Sequence, residues 1–408
     1  MRFHVLAIPH TITQKAYSAC AFTQKVLKFC TMMHARGHEI IHYGHEKSQV
    51  DCTEHVTVTN DQVLEKAYGK YDWRVNHFKH NCTDSAHTHF NMHAAEEVKK
   101  RKKPGDFLLL FWGIGHEFVA RTNKDMIVVE PGIGSHNKLV APYAVFESYA
   151  VMHHVYAKYD ISPRFFDCVV PNYFDIRDFI NPAERDAQMQ IVQGQIDASD
   201  LLKSIVALRP KSYAVLIARI VPSKGIQLAI EACLATRTKL IIAGQGSLKD
   251  AILPCFNVPL TAIDDPDGIT HIGYIEPEER KYLLANAKCL LAPTLYAEPF
   301  CGVNVEAQLS GVPVVCTDWG VFPETVIHGT TGWRCRTLDH FAWALKNLDF
   351  NDQTIRDFAV ANWGLNKVAT MYEEYFAMLT TTLKKGFYQE NPGRLGLKWL
   401  EKTMPIEK

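Results

Sequence analysis

Short apolar, β-branched runs alternate with amphipathic helical patterns through the first half of the chain, and the same alternation starts again in the second half. In the first half, runs at 3–8, 39–43, 107–112 and 126–130 are interleaved with helical patterns over 18–35 and 84–102. In the second, runs at 213–218, 239–243, 269–274, 289–293 and 312–317 are interleaved with helical patterns over 224–235 and 278–287. Strand-like runs joined by helices imply parallel strands with crossover connections. Two such α/β units facing one another put a cleft between the carboxyl ends of their sheets.

The 408 residues are too many for one ordinary core and suit two domains of roughly 200 residues each. The run 167–172 reads as the last strand of the first unit, and the polar stretch 181–199 follows it, which places a boundary near residue 190. This gives a first domain over 1–190, a second over 191–380, and a tail over 381–408 long enough to pack back on the first. Beyond residue 338 the pattern is helical, with Phe341, Ala344, Leu345 and Leu348 on one face.

Lys and Arg total 44 and so do Asp and Glu, so no overall charge recruits nucleic acid or a charged membrane, and any basic chemistry is local. Eleven scattered cysteines without a C-x-x-C pair fit reduced thiols in a cytoplasmic compartment. The apolar stretch ending at Pro9 is too short for a signal or a membrane span, and no later stretch reaches eighteen uninterrupted apolar residues.

The chemistry concentrates after the strand-like run 289–293. There Glu298-Pro299-Phe300-Cys301-Gly302-Val303-Asn304-Val305-Glu306 carries two carboxylates eight positions apart across the start of a helix over 303–309. Glu298 precedes the helix and Glu306 lies about one turn into it, so both can face one cleft. Either acid alone is explained by the helix dipole. Gly302 lets a ligand approach the backbone, and the free N–H groups of the first turn form an anion site. A second constellation, Arg219 and Lys224, again follows a strand, and two cations converging on one cleft suit a diphosphate whose leaving-group charge they stabilise, without need of a metal. Gly244-Gln245-Gly246 adds a third loop on that edge, and Gly273-Tyr274-Ile275 offers a flat aromatic or a backbone amide to a nucleobase.

The ordered set Arg219, Lys224, Gly244-Gln245-Gly246, Gly273-Tyr274 and Glu298-x7-Glu306, preceded by Val170-Pro171-Asn172-Tyr173-Phe174-Asp175, resembles the donor domain of GT-B glycosyltransferases, in particular the retaining family often called GT4. The resemblance spans most of residues 160–345. It implies two Rossmann-like domains facing a central cleft, with C-terminal helices returning to the first. It further implies transfer of a hexosyl or pentosyl group from a nucleoside diphosphate sugar to a glycan or lipid hydroxyl, with retention and with no cofactor or metal. Arg219 and Lys224 then bind the pyrophosphate, Glu298 a sugar hydroxyl, Glu306 the ribose, and the amides of Gly302 and Val303 a phosphate. Gly244, Gly246, Tyr274 and Ile275 complete the donor side. His116, in Gly113-Ile114-Gly115-His116, resembles the family's histidine that approaches the transferred sugar from the acceptor domain, and Glu130 at the next strand end helps to line the cleft. The first loop, 9–18, lacks the family's paired glycines, with His10 or Lys15 as substitutes. A sugar-nucleotide epimerase using the same donor pocket, and a non-catalytic sugar-nucleotide or glycan binder, are the alternatives.

Two further signals have blander readings. His87, His89 and His93 suggest a metal, because His89 and His93 share a helix face, yet no acid or cysteine stands at a matching spacing. Lys99-Lys100-Arg101-Lys102-Lys103 could form a nuclear or phosphate-binding patch, yet it fits a helix C-terminus and a solvated surface, with steering of an anionic lipid as the one hint of peripheral membrane contact.

Overall fold

The computed structural model describes residues 1–195, 197–253, 260–261, 265 and 268–385, with side chains to residue 381. Within the compact unit Met1–Val368 lie two parallel sheets. The first contains β1 (Arg2–Leu6), β2 (Glu39–His45), β3 (Glu54–Thr59), β4 (Phe107–Leu110), β5 (Ile127–Ile133), β6 (Tyr143–Phe146) and β7 (Cys168–Val169), in the order β3-β2-β1-β4-β5-β6-β7. The second contains β8 (Tyr213–Ile217), β9 (Lys239–Ala243), β10 (Ile269–His271), β11 (Cys289–Ala292), β12 (Val314–Thr317) and β13 (Gly332–Cys335), in the order β10-β9-β8-β11-β12-β13. The pairing is parallel throughout.

Both faces of the second sheet are buried, which is why its strands read as unbroken apolar runs. Tyr213, Val215, Ile241 and Leu290 point into one cluster, and their neighbours Ala214, Leu216, Leu240 and Leu291 into the other. At the expected boundary, residues Arg185–Gln193 form a helix, and its Met189 and Val192 join Phe174 and Ile180 in the second sheet's core. Packing on the second sheet therefore begins before residue 190, because apolar residues punctuate the polar stretch at helical spacing.

Helix ends follow local chemistry. Asp84 caps Ser85–Arg101 by accepting from the His87 amide at 2.8 Å. The first helix starts at Ala21 rather than Ser18, and the Ser18 hydroxyl meets that of Tyr274 at 3.2 Å. A helix runs Leu365–Lys385. Of the tail expected over 381–408, residues from 386 on lie outside the described residues.

In each sheet the strand order reverses direction between two central strands, β1/β4 in the first and β8/β11 in the second. Ligands of open α/β sheets bind outside the carboxyl ends of strands at such switch points. The loops after β8 and β11 are those that carry Arg219, Lys224 and Glu298.

Candidate active site

The two loops at the second switch point are fastened together by backbone. The Leu295 amide donates to the Ser223 carbonyl at 2.8 Å, and a Cβ on Gly225 would meet the Pro293 carbonyl at 1.9 Å, so only glycine permits the approach. This closeness brings Lys224 Nζ to Glu298 Oε2 at 2.5 Å and to the Tyr296 hydroxyl at 2.9 Å. Tyr296 in turn donates to Glu298 Oε1 at 3.0 Å. Burial pulls the Lys224 ammonium toward neutrality, but the adjoining Glu298 carboxylate more than offsets it and holds the group above the usual lysine range. Burial pushes the Tyr296 phenol up to about 12.

The next helix, Gly302–Leu309, is set by a residue in the left-handed region. Cys301 has φ 61° and ψ 71° and offers no side-chain cap, leaving the amides of Gly302 and Val303 for a ligand. Asn304 donates to Thr325 Oγ1 at 2.6 Å, and Gln308 donates to Asn304 and to the Thr325 carbonyl, which fixes the helix against the turn after β12. One turn in, Glu306 Oε2 is buried with no hydrogen bond, its nearest cation being Arg280 Nη1 at 3.5 Å.

These groups line one cavity of about 590 Å³, together with Arg219 and, from the first half, Lys15, Lys25, Lys28, Glu147 and Asn172. Arg219 is exposed, and among the described residues its guanidinium makes no hydrogen bond or ion pair. Lys28 lies over the Phe174 ring at 4.4 Å, and burial lowers its pKa. Lys15 makes one long ion pair, 3.5 Å, with Asp178. The cavity thus joins a free guanidinium, a locked Lys–Glu pair, uncapped amides and a carboxylate oxygen that makes an ion pair with Arg280 but no hydrogen bond. Cations and amides suit an anion of two phosphates, and the two carboxylates suit hydroxyl groups.

Other expected residues lie elsewhere. His116 is wholly buried, with Nε2 on the Ala7 carbonyl at 2.9 Å and its ring stacked on Phe90; burial lowers its pKa to about 3, so it holds β1 and β4 together as a neutral group and does not reach the cavity. Glu130 is buried against Gly113, accepts from the Val140 amide at 3.1 Å, and is raised to about 7 by burial. His10 is packed between His80 and Trp112, outside the cavity lining. Ile275 is a core residue of the second sheet.

Gly244, Gly246 and Tyr274 line a separate recess of about 390 Å³ with Arg74, Val75, Gln245, Gly273 and Glu276. Residues from the first half close it: Arg74 pairs with Glu276 at 2.7 Å, and the Trp73 carbonyl accepts from Gln245. A Cβ on Gly244 would meet the Ala218 carbonyl at 1.7 Å, so that glycine serves loop packing.

The histidine run is structural as well. His87 donates Nδ1–H to Asp84 Oδ1 at 3.0 Å and receives the Trp112 indole N–H at 3.0 Å on Nε2, while the His89 and His93 rings lie tilted against one another with centroids 4.2 Å apart. Lys100, Arg101 and Lys102 pair with Glu97, Glu54 and Asp125. Among the described residues one His–acid group, His45, Glu46 and Asp61, has ligand-like spacing, but the Lys47 amide donates to His45 Nδ1 and the Lys47 ammonium sits on Asp61. No helix of the described residues is long and apolar enough to cross a membrane.

Sequence reasoning missed Tyr296, Lys25, Lys28 and Glu147, and gave Asn172 no role beyond its place in the segment entering the second domain. Tyr296, two residues before Glu298, carried a local signal; the others are joined to the site only by the fold.

Residues 201–349 match the family model described as glycosyl transferases group 1. Over that segment the chain is similar to the group 1 glycosyl transferases. It is 26% identical over 207 residues to an uncharacterised glycosyltransferase of Methanocaldococcus jannaschii, covering 48% of each protein, so it spans about half the length of the curated relatives it matches. The fold is GT-B. A glycosyltransferase involved in avilamycin A biosynthesis superposes with TM-score 0.61 at 17% identity, over 93% of this chain and 98% of the other. HepE of Anabaena, in complex with UDP and glucose, gives 0.61 at 13% identity, over 92% of this chain and 99% of its own.

Proposed function

We propose that this protein transfers a hexosyl or pentosyl group from a nucleoside diphosphate sugar to a hydroxyl of a glycan or lipid, with retention of anomeric configuration and without a metal. The observation that carries this reading is the meeting of Arg219, the Lys224–Glu298 pair, the uncapped helix start at Gly302 and the Glu306 oxygen that makes no hydrogen bond in one cavity. Arg219, Lys224 and the amides of Gly302 and Val303 hold the diphosphate; Glu306 accepts from the ribose hydroxyls; Glu298 accepts from a hydroxyl of the transferred sugar. UDP is the first nucleotide to try, since HepE was solved with UDP.

In the reaction the acceptor oxygen bonds to the anomeric carbon as the bond from that carbon to the phosphate breaks, and the acceptor proton passes to the leaving phosphate. The cations stabilise the charge that develops there. Glu298 is bound to Lys224 and Tyr296, so it orients and is not offered as a nucleophile. Residues 1–190 supply the acceptor side and 191–380 the donor side, in the cytoplasm, with a membrane involved only where the acceptor is a lipid.

The test is incubation with UDP-, GDP- and ADP-sugars, with and without EDTA, followed by product analysis for anomeric configuration. Retention and insensitivity to EDTA are expected. Folded Glu298→Ala and Lys224→Ala variants with full transfer activity, or an epimerised nucleotide sugar formed without acceptor, overturn the reading.

A further inference from the structure

On the first-half wall of the same cavity lies a polar cluster with no part in holding the donor. Glu147 follows β6 and is buried. Its Oε2 accepts from Lys25 Nζ at 2.5 Å and from Asn172 Nδ2 at 2.8 Å, and Lys25 also donates to the Gly132 carbonyl at 2.8 Å. A Cβ on Gly134 would stand 2.0 Å from Glu147 Oε1, so the bare backbone there makes room for the carboxylate. Every charge is paired, yet two acceptors are left over. Glu147 Oε1 has no hydrogen-bond partner among the described residues, and Asn172 Oδ1 is buried without one.

The cluster stands beside the Glu298 loop. The next residue, Ser148, donates its hydroxyl to the Pro299 carbonyl at 2.6 Å, and Pro299 follows Glu298. Glu324 reinforces that junction by accepting from the amides of Tyr149 and Ala150 at 2.9 and 2.8 Å. The Glu147 and Glu298 loops, one from each sheet, are thus tied to one another.

We propose that Glu147, braced by Lys25 and Asn172, is the acceptor-binding carboxylate, and that the acceptor presents a neutral, hydroxyl-rich group such as a sugar ring or polyol. This rests on the donor reading above. Unmet acceptor atoms call for O–H donors and repel an anion, which excludes a phosphate or carboxylate at this point. Because the Lys25 ammonium and the Asn172 amide occupy Oε2, Glu147 aligns the acceptor hydroxyl through Oε1 and keeps no proton; the proton goes to the leaving phosphate oxygen as the new glycosidic bond forms.

Saturation-transfer NMR on the UDP-loaded protein tests this with two sources of the same chemistry, a set of methyl hexopyranosides and vesicles carrying a monohexosyl lipid. At least one should bind the wild type, and the arm that does so identifies the source. Glu147→Gln should weaken that binding at least about tenfold, the loss of a hydrogen bond to a charged group, with UDP affinity retained. Lys25→Met combined with Glu147→Gln removes both charges and guards against a loss due only to misfolding; it should show the same defect. Equal binding by wild type and both variants, or no binding by a wild type that holds UDP, overturns the acceptor assignment. Failure of the wild type to bind UDP, GDP or ADP overturns instead the donor reading on which it rests.

Discussion

Lys224 and Glu298 are 2.5 Å apart with side chains 16% and 7% exposed, so removing one partner strands a nearly buried charge. Breaking such a pair costs about 3 kcal/mol. For a cooperative unit of one domain's size, that corresponds to a fall in Tm of roughly 6–12 °C. Glu298→Gln and Lys224→Met should each lower Tm by about this amount, and the double variant by clearly less than their sum, since no charge is then stranded. Their effects on ligand should oppose one another. Glu298→Gln frees the ammonium for phosphate, so UDP binds at least as tightly as to wild type while transfer collapses with the lost sugar contact. Lys224→Met weakens UDP. Because the Lys224 pKa is raised on folding, its contribution is fully present below the unfolded lysine value and is lost only as pH rises through the folded one, so the cost of Glu298→Gln should be constant between about pH 6 and 9. Calorimetry and thermal melts measure both effects. Additive losses in stability, or equal weakening of UDP by the two single variants, would refute the assignment of a paired, phosphate-facing lysine.

Glycine at 244 and 302 should respond differently: Gly244→Ala, whose Cβ meets the Ala218 carbonyl at 1.7 Å, should lose more than about 2 kcal/mol in urea unfolding. Gly302→Ala, whose nearest contact is Phe174 at 3.6 Å, should fold normally but bind UDP about tenfold more weakly, as a methyl then screens the amides. His42 and His116 have folded pKa values lowered by burial to about 3 against an unfolded value near 6.5, so the unfolded state binds more protons between these limits. Stability should therefore fall by roughly 1.4 kcal/mol per histidine for each pH unit below about 6, and His116→Gln should flatten that slope in unfolding titrations at pH 7 and 5. At Cys301, Cys301→Gly should keep Tm and UDP affinity, whereas Cys301→Val, β-branched in the left-handed region, should lower Tm by an amount equivalent to at least about 1 kcal/mol.

The strands buried on both faces were legible because burial writes continuous apolar runs into the sequence. β13 escaped because Gly332 and Arg334 interrupt its apolar residues, and β3 because its polar positions interrupt the run. Arg219, Lys224, Glu298 and Glu306 were legible because strand-end loops and a helix start fix them locally. His116 shares that strand-end signal, but side-chain direction is decided by packing, and its ring turned inward onto Phe90. Glu147 and Lys25 are 122 positions apart, and nothing local in either segment announces the pair.

Calorimetric titration of UDP, GDP and ADP into wild type and Arg219→Ala is the most direct measurement, because Arg219 is exposed to the cavity and its loss should leave folding intact. One nucleotide should bind the wild type in the micromolar range or tighter, and at least about tenfold more weakly after loss of a charge-assisted contact. Binding of none of the three, or equal binding by both proteins, would contradict a diphosphate site at this cavity.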